Sequence, residues 1–402
     1  MERRQERDGG EGVAGREPGG RGLRLRREIG LWSAVSLTAG CMVGSGIFMS
    51  PQGVLVYIGS PGASLVVWAA CGLLAMMGAL CYAELGALVP KSGGEYAYIL
   101  QIFGSLPAFL VIYTFVLLVR PAAIAAISLS FAEYAVAPFY PGCSSLPQAV
   151  LKGVAAICIL SLMLVNCRSS RLATMLTNVC TVAKVFSLLV IVGGGAVVLG
   201  QGRGYTEAFL FAFHNTTQQP GRIGMAFYQG LWSFDGWNNV NYVMEELKNP
   251  KQNLVWALLI AIPLVTSLYL LVNISYLLVL SSNEILSSNA VAVSWGFLGW
   301  ITYGTTIGCL LYLRIKNKNL PRPYKVPTVI PVIMLLASFY LVLAPIIEHP
   351  QTEFLYIFLF LLSGIPVYFL LVYFRCQPKW SQMATLYLQL LLEVAPTIKN
   401  VD

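Results

Sequence analysis

The sequence predicts an all-α polytopic membrane protein with about ten transmembrane helices. Three observations carry that expectation. Of 402 residues, 57% are hydrophobic and 11% charged, and the mean hydropathy is +0.70, so there are too few polar side chains to coat a soluble domain. Apolar runs of roughly twenty residues, the length that crosses a bilayer, recur along nearly the whole chain. Lys and Arg fall almost entirely in alternate loops, the positive-inside asymmetry of a membrane protein.

The chain begins with a Gly-, Glu- and Arg-rich tail over 1–29, ending RGLRLRRE. It has no apolar run of the kind a cleavable signal carries, and reads as a disordered cytosolic segment. Spans are expected near 31–50, 64–89, 106–137, 149–166, 173–199, 223–243, 255–280, 297–313, 328–347 and 354–374. Both termini then share one side. With that side cytosolic, the outer segments hold only Lys152, Arg203 and Arg222, so the net charge of +8 reports topology rather than a nucleic-acid surface. The tail over 375–402 contains WSQMATLYLQLLLEV, an amphipathic stretch suited to lying in the membrane interface.

Two spans are interrupted near their middles, at CMVGSGIFMSP over 41–51 and YQGLWSFDGWNN over 228–239. A helix broken inside a membrane exposes backbone groups that lipid cannot satisfy, so they must face protein or a water-filled cavity. Such pairs of breaks mark the substrate sites of secondary transporters. At Gly44, Ser45 and Gly46 the glycines free the backbone to aim successive N–H groups at one point, and the half-helix that follows adds its positive dipole end. A carboxylate suits that place; close helix packing through small residues is the competing reading. The second break sets Gly230, Asp235 and Gly236 among Trp232, Phe234 and Trp237, where unwound carbonyls and a carboxylate would receive an ammonium group. Holding Asp235 at bilayer depth costs about 2.5 to 3.5 kcal/mol, which implies a cavity or a partner. One anion-seeking and one cation-seeking break together suit a zwitterion, of which a free amino acid is the simplest.

Other charges in the spans are Lys184, which either fills a cation position or snorkels to the interface, and Arg120 and Glu84, which read as ion-pair or gate residues. Eight of the nine cysteines lie in spans or at their inner ends; Cys143 stands in an outer loop, where an intermolecular disulfide and an unpaired thiol are both open. Asn215 opens an outer-loop N-T-T sequon, a glycosylation candidate, whereas the Asn273 sequon lies inside a span. No H-E-x-x-H, C-x-x-C or Walker pattern occurs, and no nucleophile, base and orienter stand together. Neither cofactor, metal nor enzymatic activity is expected.

The segments GSGIFMSPQGV, WAACGLLAMMGALCYAELGALVPKSGGEYAY, SFAEYAVAPFYPGC, AFYQGLWSFDGWNNVNYVMEELKNP and RPYKVPTVIPV resemble the light subunits of the heteromeric amino-acid transporters, in the amino acid/polyamine/organocation superfamily. Asp235 within WSFDGWN is most similar to the branch of cystine, neutral and dibasic amino-acid exchangers and an aromatic-preferring relative. The resemblance implies a LeuT-like core of two inverted five-helix repeats whose first and sixth helices are the broken ones. It implies that the N–H groups of Gly44, Ser45 and Gly46 hold the substrate carboxylate and that carbonyls at Met42, Trp232 and Asp235 hold the ammonium. On the same basis Trp232 gates the outer side, the Asp235 side chain favours a second positive charge, Lys184 replaces sodium, and Cys143 joins a single-span heavy-chain glycoprotein.

In one respect the chain departs from that pattern. The family has twelve spans, and GWITYGTTIGCLLYLRIKNKNLPRP resembles its tenth, so the junction at Gly296 and Phe297 skips the eighth and ninth helices. Residues 30–296 would then hold the first repeat with two helices of the second, and 297–374 the remaining helices. An even loss preserves topology while removing part of the scaffold around the site. A sodium-independent amino-acid exchanger light subunit at the plasma membrane is the resulting expectation, with a transport-impaired assembly partner as the alternative.

Overall fold

The computed structural model describes residues 27–374, except 28, 141–146, 169, 203–210, 281–292, 318–319, 321 and 349–351, together with Met383 and Tyr387. Cys143, most of both tails and the amphipathic stretch therefore lie outside the described residues. Apart from turns, connecting segments and one isolated bridge between Ile29 and Leu247, the described residues are helical. Seven helices are long and apolar enough to cross a membrane, and a pair bent by 50° makes an eighth.

The bent pair is the first span. Helix α1 runs Leu31–Met42 and α2 Gly46–Ile58. The span thus reaches Ile58, beyond the expected end at 50, because each half needs about three turns to cover its leaflet. Helix α3 (Pro61–Leu88) begins with proline at its first turn, where no N–H is required. Gly93 and Gly94 then turn the chain at positive φ into α4 (Glu95–Phe103). A Cβ on Gly94 would meet the Tyr242 ring at 2.7 Å, so glycine serves both the turn and the close approach.

Helix α5 (Ser105–Thr114) passes through a π turn at Phe115–Val119 into α6 (Arg120–Val136). Pro121 lacks the N–H of a regular helix, and the wider turn before it absorbs the defect. Helices α7 (Gln148–Arg168) and α8 (Ser170–Gly200) follow, long, apolar and almost entirely exposed. Helix α9 (Pro220–Ser233) stops at the second break, and a 3-10 stretch, Asn239–Glu246, continues it. Then come α10 (Pro250–Val279), α11 (Val293–Lys316), α12 (Val329–Glu348) and α13 (Thr352–Tyr368). The expected spans near 223–243 and 297–313 are thus the interrupted α9 segment and α11, whose Gly, Thr and Tyr residues make it less apolar than its neighbours. The Gly296 junction falls inside α11.

The core is a bundle of α1, α2, α3, α9 and α10, with α11 and α12 packed on one flank. Trp68, Phe234 and Tyr269 are fully buried and meet at centroid distances of 5.1 to 6.2 Å. Each such pair adds about 0.5 to 1.5 kcal/mol beyond area burial, so this cluster anchors the chain immediately behind the second break. The N-terminal end of the first broken span and the C-terminal end of the second are also joined: Ile29 N–H donates to Glu246 carbonyl at 3.1 Å and Lys248 N–H to Ile29 carbonyl at 2.9 Å.

Glu84 is buried in α3 and takes a two-pronged bond from Arg314 of α11, with Nε at 3.1 Å. Val326 N–H adds a third bond at 2.8 Å, and Arg314 also donates to Val326 carbonyl at 2.7 Å. Glu84 is thus the ion-pair residue expected, pinning α3 to the segment between α11 and α12. Arg120 is different. It forms no ion pair among the described residues and instead lies over the Phe115 ring at 4.5 Å.

Candidate functional site

The two breaks touch. A Cβ on Gly46 would stand 2.6 Å from the Ser233 Cα, so only glycine lets the start of α2 meet the end of α9. Gly236, at φ +102, closes on Cys41, where an added Cβ would lie 3.0 Å from the Cys41 Cβ. Between these contacts lies Tyr269 of α10, whose hydroxyl is 2.7 Å from the Met42 carbonyl and 2.9 Å from the Ser233 carbonyl.

Gly44 and Ser45 are half-buried between the two half-helices. Among the described residues, no backbone carbonyl accepts from the N–H of Gly44, Ser45 or Gly46. Those donors and the start of α2 leave an electropositive corner for an anion. Met42 is buried, and its carbonyl already receives the Tyr269 hydroxyl. The Trp232 carbonyl accepts from Asp235 N–H at 3.2 Å.

A cavity of about 1170 Å3, counted out to its open mouth, lies against the second break. Arg120, Trp232, Asp235, Trp300, Tyr303 and Tyr242 are among the residues that line it. Gly44 to Gly46 are not in its wall, so the cavity joins only one of the two predicted half-sites. Phe234 does not face it either: that ring belongs to the buried cluster behind the break. Trp237 is 4% exposed and stacks edge-on with Tyr82 at 4.8 Å, so of the three aromatic residues singled out in the sequence Trp232 offers the most open face.

Asp235 receives a hydrogen bond from Tyr303 of α11 at 3.0 Å. Arg120 shares the cavity without pairing with it, so Asp235 and a cationic side chain face the same space. Glu95 lines the cavity too. Its carboxylate takes Asn238 Nδ2 at 2.6 Å and the Tyr242 hydroxyl at 2.5 Å, which ties the strand of chain just after the break to α4. Tyr98 to Asn241 at 3.0 Å and a reciprocal pair between Ser92 and Glu245 extend that latch. A short non-helical stretch at this depth is tolerated because these bonds replace the missing ladder.

Lys184 is half-buried on α8, about one turn from Thr181, which packs against Gly40. It therefore stands beside the first half-helix of the first span and away from the cavity wall. Asn215 is exposed in the loop ahead of α9 at φ +62. Sequence reasoning missed Tyr269, Tyr303, Glu95 and Trp300. Hydropathy counts the aromatic residues as apolar filler, although an acid at Glu95 directly after the Gly93–Gly94 turn was a visible signal.

A family model described as amino acid permease matches residues 29–299, a stretch that contains both breaks and the residues around them. The chain belongs to the amino acid permease family. Among its relatives in that family, the b(0,+)-type amino acid transporter 1 of Homo sapiens is 38% identical over 480 aligned positions, covering 98% of each chain. The Mus musculus protein of the same name is 38% identical over 465 positions, covering 94% of this chain and 95% of its own. The large neutral amino acids transporter small subunit 2 of Mus musculus is 35% identical over 448 positions, covering 90% and 84%. An alignment of 480 positions is longer than this 402-residue permease, so the human relative has residues with no counterpart here.

Proposed function

We propose that this permease is the light subunit of a sodium-independent amino-acid exchanger. One observation carries the reading: both breaks meet at Gly46 and Ser233, with unspent N–H donors on one side and the Asp235 cavity on the other. The substrate carboxylate binds the N–H groups of Gly44, Ser45 and Gly46. The ammonium binds the carbonyls of Met42, Trp232 and Asp235. The side chain then extends into the cavity, past Trp232, which gates it, toward Asp235, Arg120 and Trp300. Neutral and aromatic amino acids fit the aromatic wall. Asp235 extends the range to cationic amino acids or cystine.

Lys184 supplies the positive charge that a sodium ion would otherwise bring to the first span, which makes exchange independent of sodium. Cys143 joins a single-span heavy-chain glycoprotein at the plasma membrane, with both termini in the cytosol and Asn215 in the outer loop, open to glycosylation. Transport proceeds by alternating access of the bundle that carries the two breaks. Names of the relatives support the amino-acid class, and one of them is itself a small subunit.

The alignment length favours a second reading. If the missing positions are the eighth and ninth family helices, lost at Gly296, the wall beside the first break is absent. The chain then assembles with its heavy subunit yet transports poorly. Reconstitution decides between them. Proteoliposomes holding this chain with a heavy subunit should exchange labelled neutral amino acids in the absence of sodium. Assembly through Cys143 with no exchange would reject the first reading and leave the second.

A further inference from the structure

Helices α1 and α8 both pack on α10, and they approach each other where a Cβ on Gly40 would stand 3.5 Å from the Thr181 methyl group. Ser33, Ser36 and Gly40 share one face of α1, and Thr177, Thr181 and Lys184 one face of α8, by their three- and four-residue spacing. The two faces are polar. Ser33 and Ser36 are exposed and Lys184 is half-buried, and the side chains of these three form no hydrogen bond or ion pair among the described residues. Lys184 lies nine residues after Met175 in the apolar span Met175–Gly200, about 14 Å from that end of it. That is too deep for the stem to carry the charge to an interface, as lysines near helix ends do.

An ammonium carries three N–H donors, and no acceptor among the described residues takes any of these. Lipid chains offer no acceptor at that depth either. We propose that the face shared by α1 and α8 docks a transmembrane helix of a partner protein, one that carries a carboxylate at the depth of Lys184. Opposite charge selects that occupant, and small residues around the carboxylate let the helix lie close against Gly40. A second copy of this chain is the poorer occupant, because a twofold pairing through the same face sets Lys184 against its twin. None of these residues lies in the wall of the substrate cavity, so the proposal stands apart from the reading of that cavity.

The test places the purified chain with its heavy subunit in phosphatidylcholine vesicles, with a fluorescent protein fused after Asp402. The probe is a labelled helical peptide of about 24 residues, leucine and alanine with one glutamate at the matching depth. A second peptide has glutamine in place of the glutamate. Energy transfer should show the glutamate peptide binding wild type about fivefold more tightly than the glutamine one. Lys184→Met should make the two peptides equal, while Lys184→Arg keeps the difference. Equal transfer from both peptides on wild type, or a glutamate preference that survives Lys184→Met, overturns the inference. If Lys184→Met does not fold, Ser36→Trp, which fills the face from α1, must abolish the glutamate preference instead. Displacement of the glutamate peptide by unlabelled copies of the complex would make a second copy the occupant, and would overturn the inference too.

Discussion

Tyr303 of α11 donates a 3.0 Å hydrogen bond to Asp235, linking the helix that contains the Gly296 junction to the second break. Hydrogen bonds to charged groups contribute roughly 1.5 to 3 kcal/mol, so this contact fixes where the carboxylate points. Tyr303→Phe should free Asp235 to turn within the cavity. Affinity for cationic amino acids should fall by about tenfold, with a smaller change for neutral ones, as read by competition binding.

Asp235 supplies the negative charge that a cationic side chain meets. Asp235→Ala should reduce arginine or lysine uptake by more than tenfold while neutral uptake changes less than threefold, since a buried charged bond is lost for the first class only. Parallel uptake assays in proteoliposomes check this. Equal losses in both classes would show that the side chain acts on the backbone of the break rather than on the substrate.

Arg120 faces the same cavity with no ion-pair partner among the described residues, only the Phe115 ring beneath it. Its charge opposes the entry of a second cation. Arg120→Gln should therefore raise the preference for cationic over neutral amino acids by about three- to tenfold, measured as the ratio of inhibition constants. A fall in that ratio would mean that Arg120 orients Asp235 rather than repelling the ligand.

The Glu84 clamp is a matter of stability. Removing one partner of a buried ion pair costs about 3 to 5 kcal/mol because the other charge is stranded, while replacing both with apolar residues is far milder. Glu84→Gln should lower the melting temperature of the purified complex markedly. Glu84→Leu combined with Arg314→Leu should recover much of the loss. If the double variant is no better than the single one, the hydrogen bonds to Val326 carry the stability instead.

Much of this was legible in the sequence. Gly44 to Gly46 and Gly236 betrayed the breaks because they stand with polar residues in the middle of apolar runs. Glu84 was legible as an ion-pair residue, though not its partner, because Arg314 lies 230 residues away. Tyr269 and Tyr303 were not legible at all: an aromatic residue in an apolar run looks like packing until the fold brings its hydroxyl to a carbonyl or a carboxylate. Phe234 misled in the opposite sense. Its place beside Asp235 in sequence suggested the cavity, but the turn at Gly236 directs the ring into the core. The cavity wall itself is assembled from α4, α5 and the π turn after it, the start of α6, α9 with its break, and α11, and no local pattern encodes that.

The central claim is that the two breaks form one site for a zwitterion, and competition by phenethylamine, which lacks the carboxylate, tests it most directly. On the wild-type complex phenethylamine should displace labelled L-phenylalanine at least about tenfold more weakly than L-phenylalanine itself, the loss expected for a charge-assisted bond. In Gly46→Ala, where the added methyl group would lie 2.6 Å from Ser233 Cα and force the breaks apart, that gap should largely close. Phenethylamine that competes as well as the amino acid on wild type would contradict the account, because the first break would then hold no carboxylate.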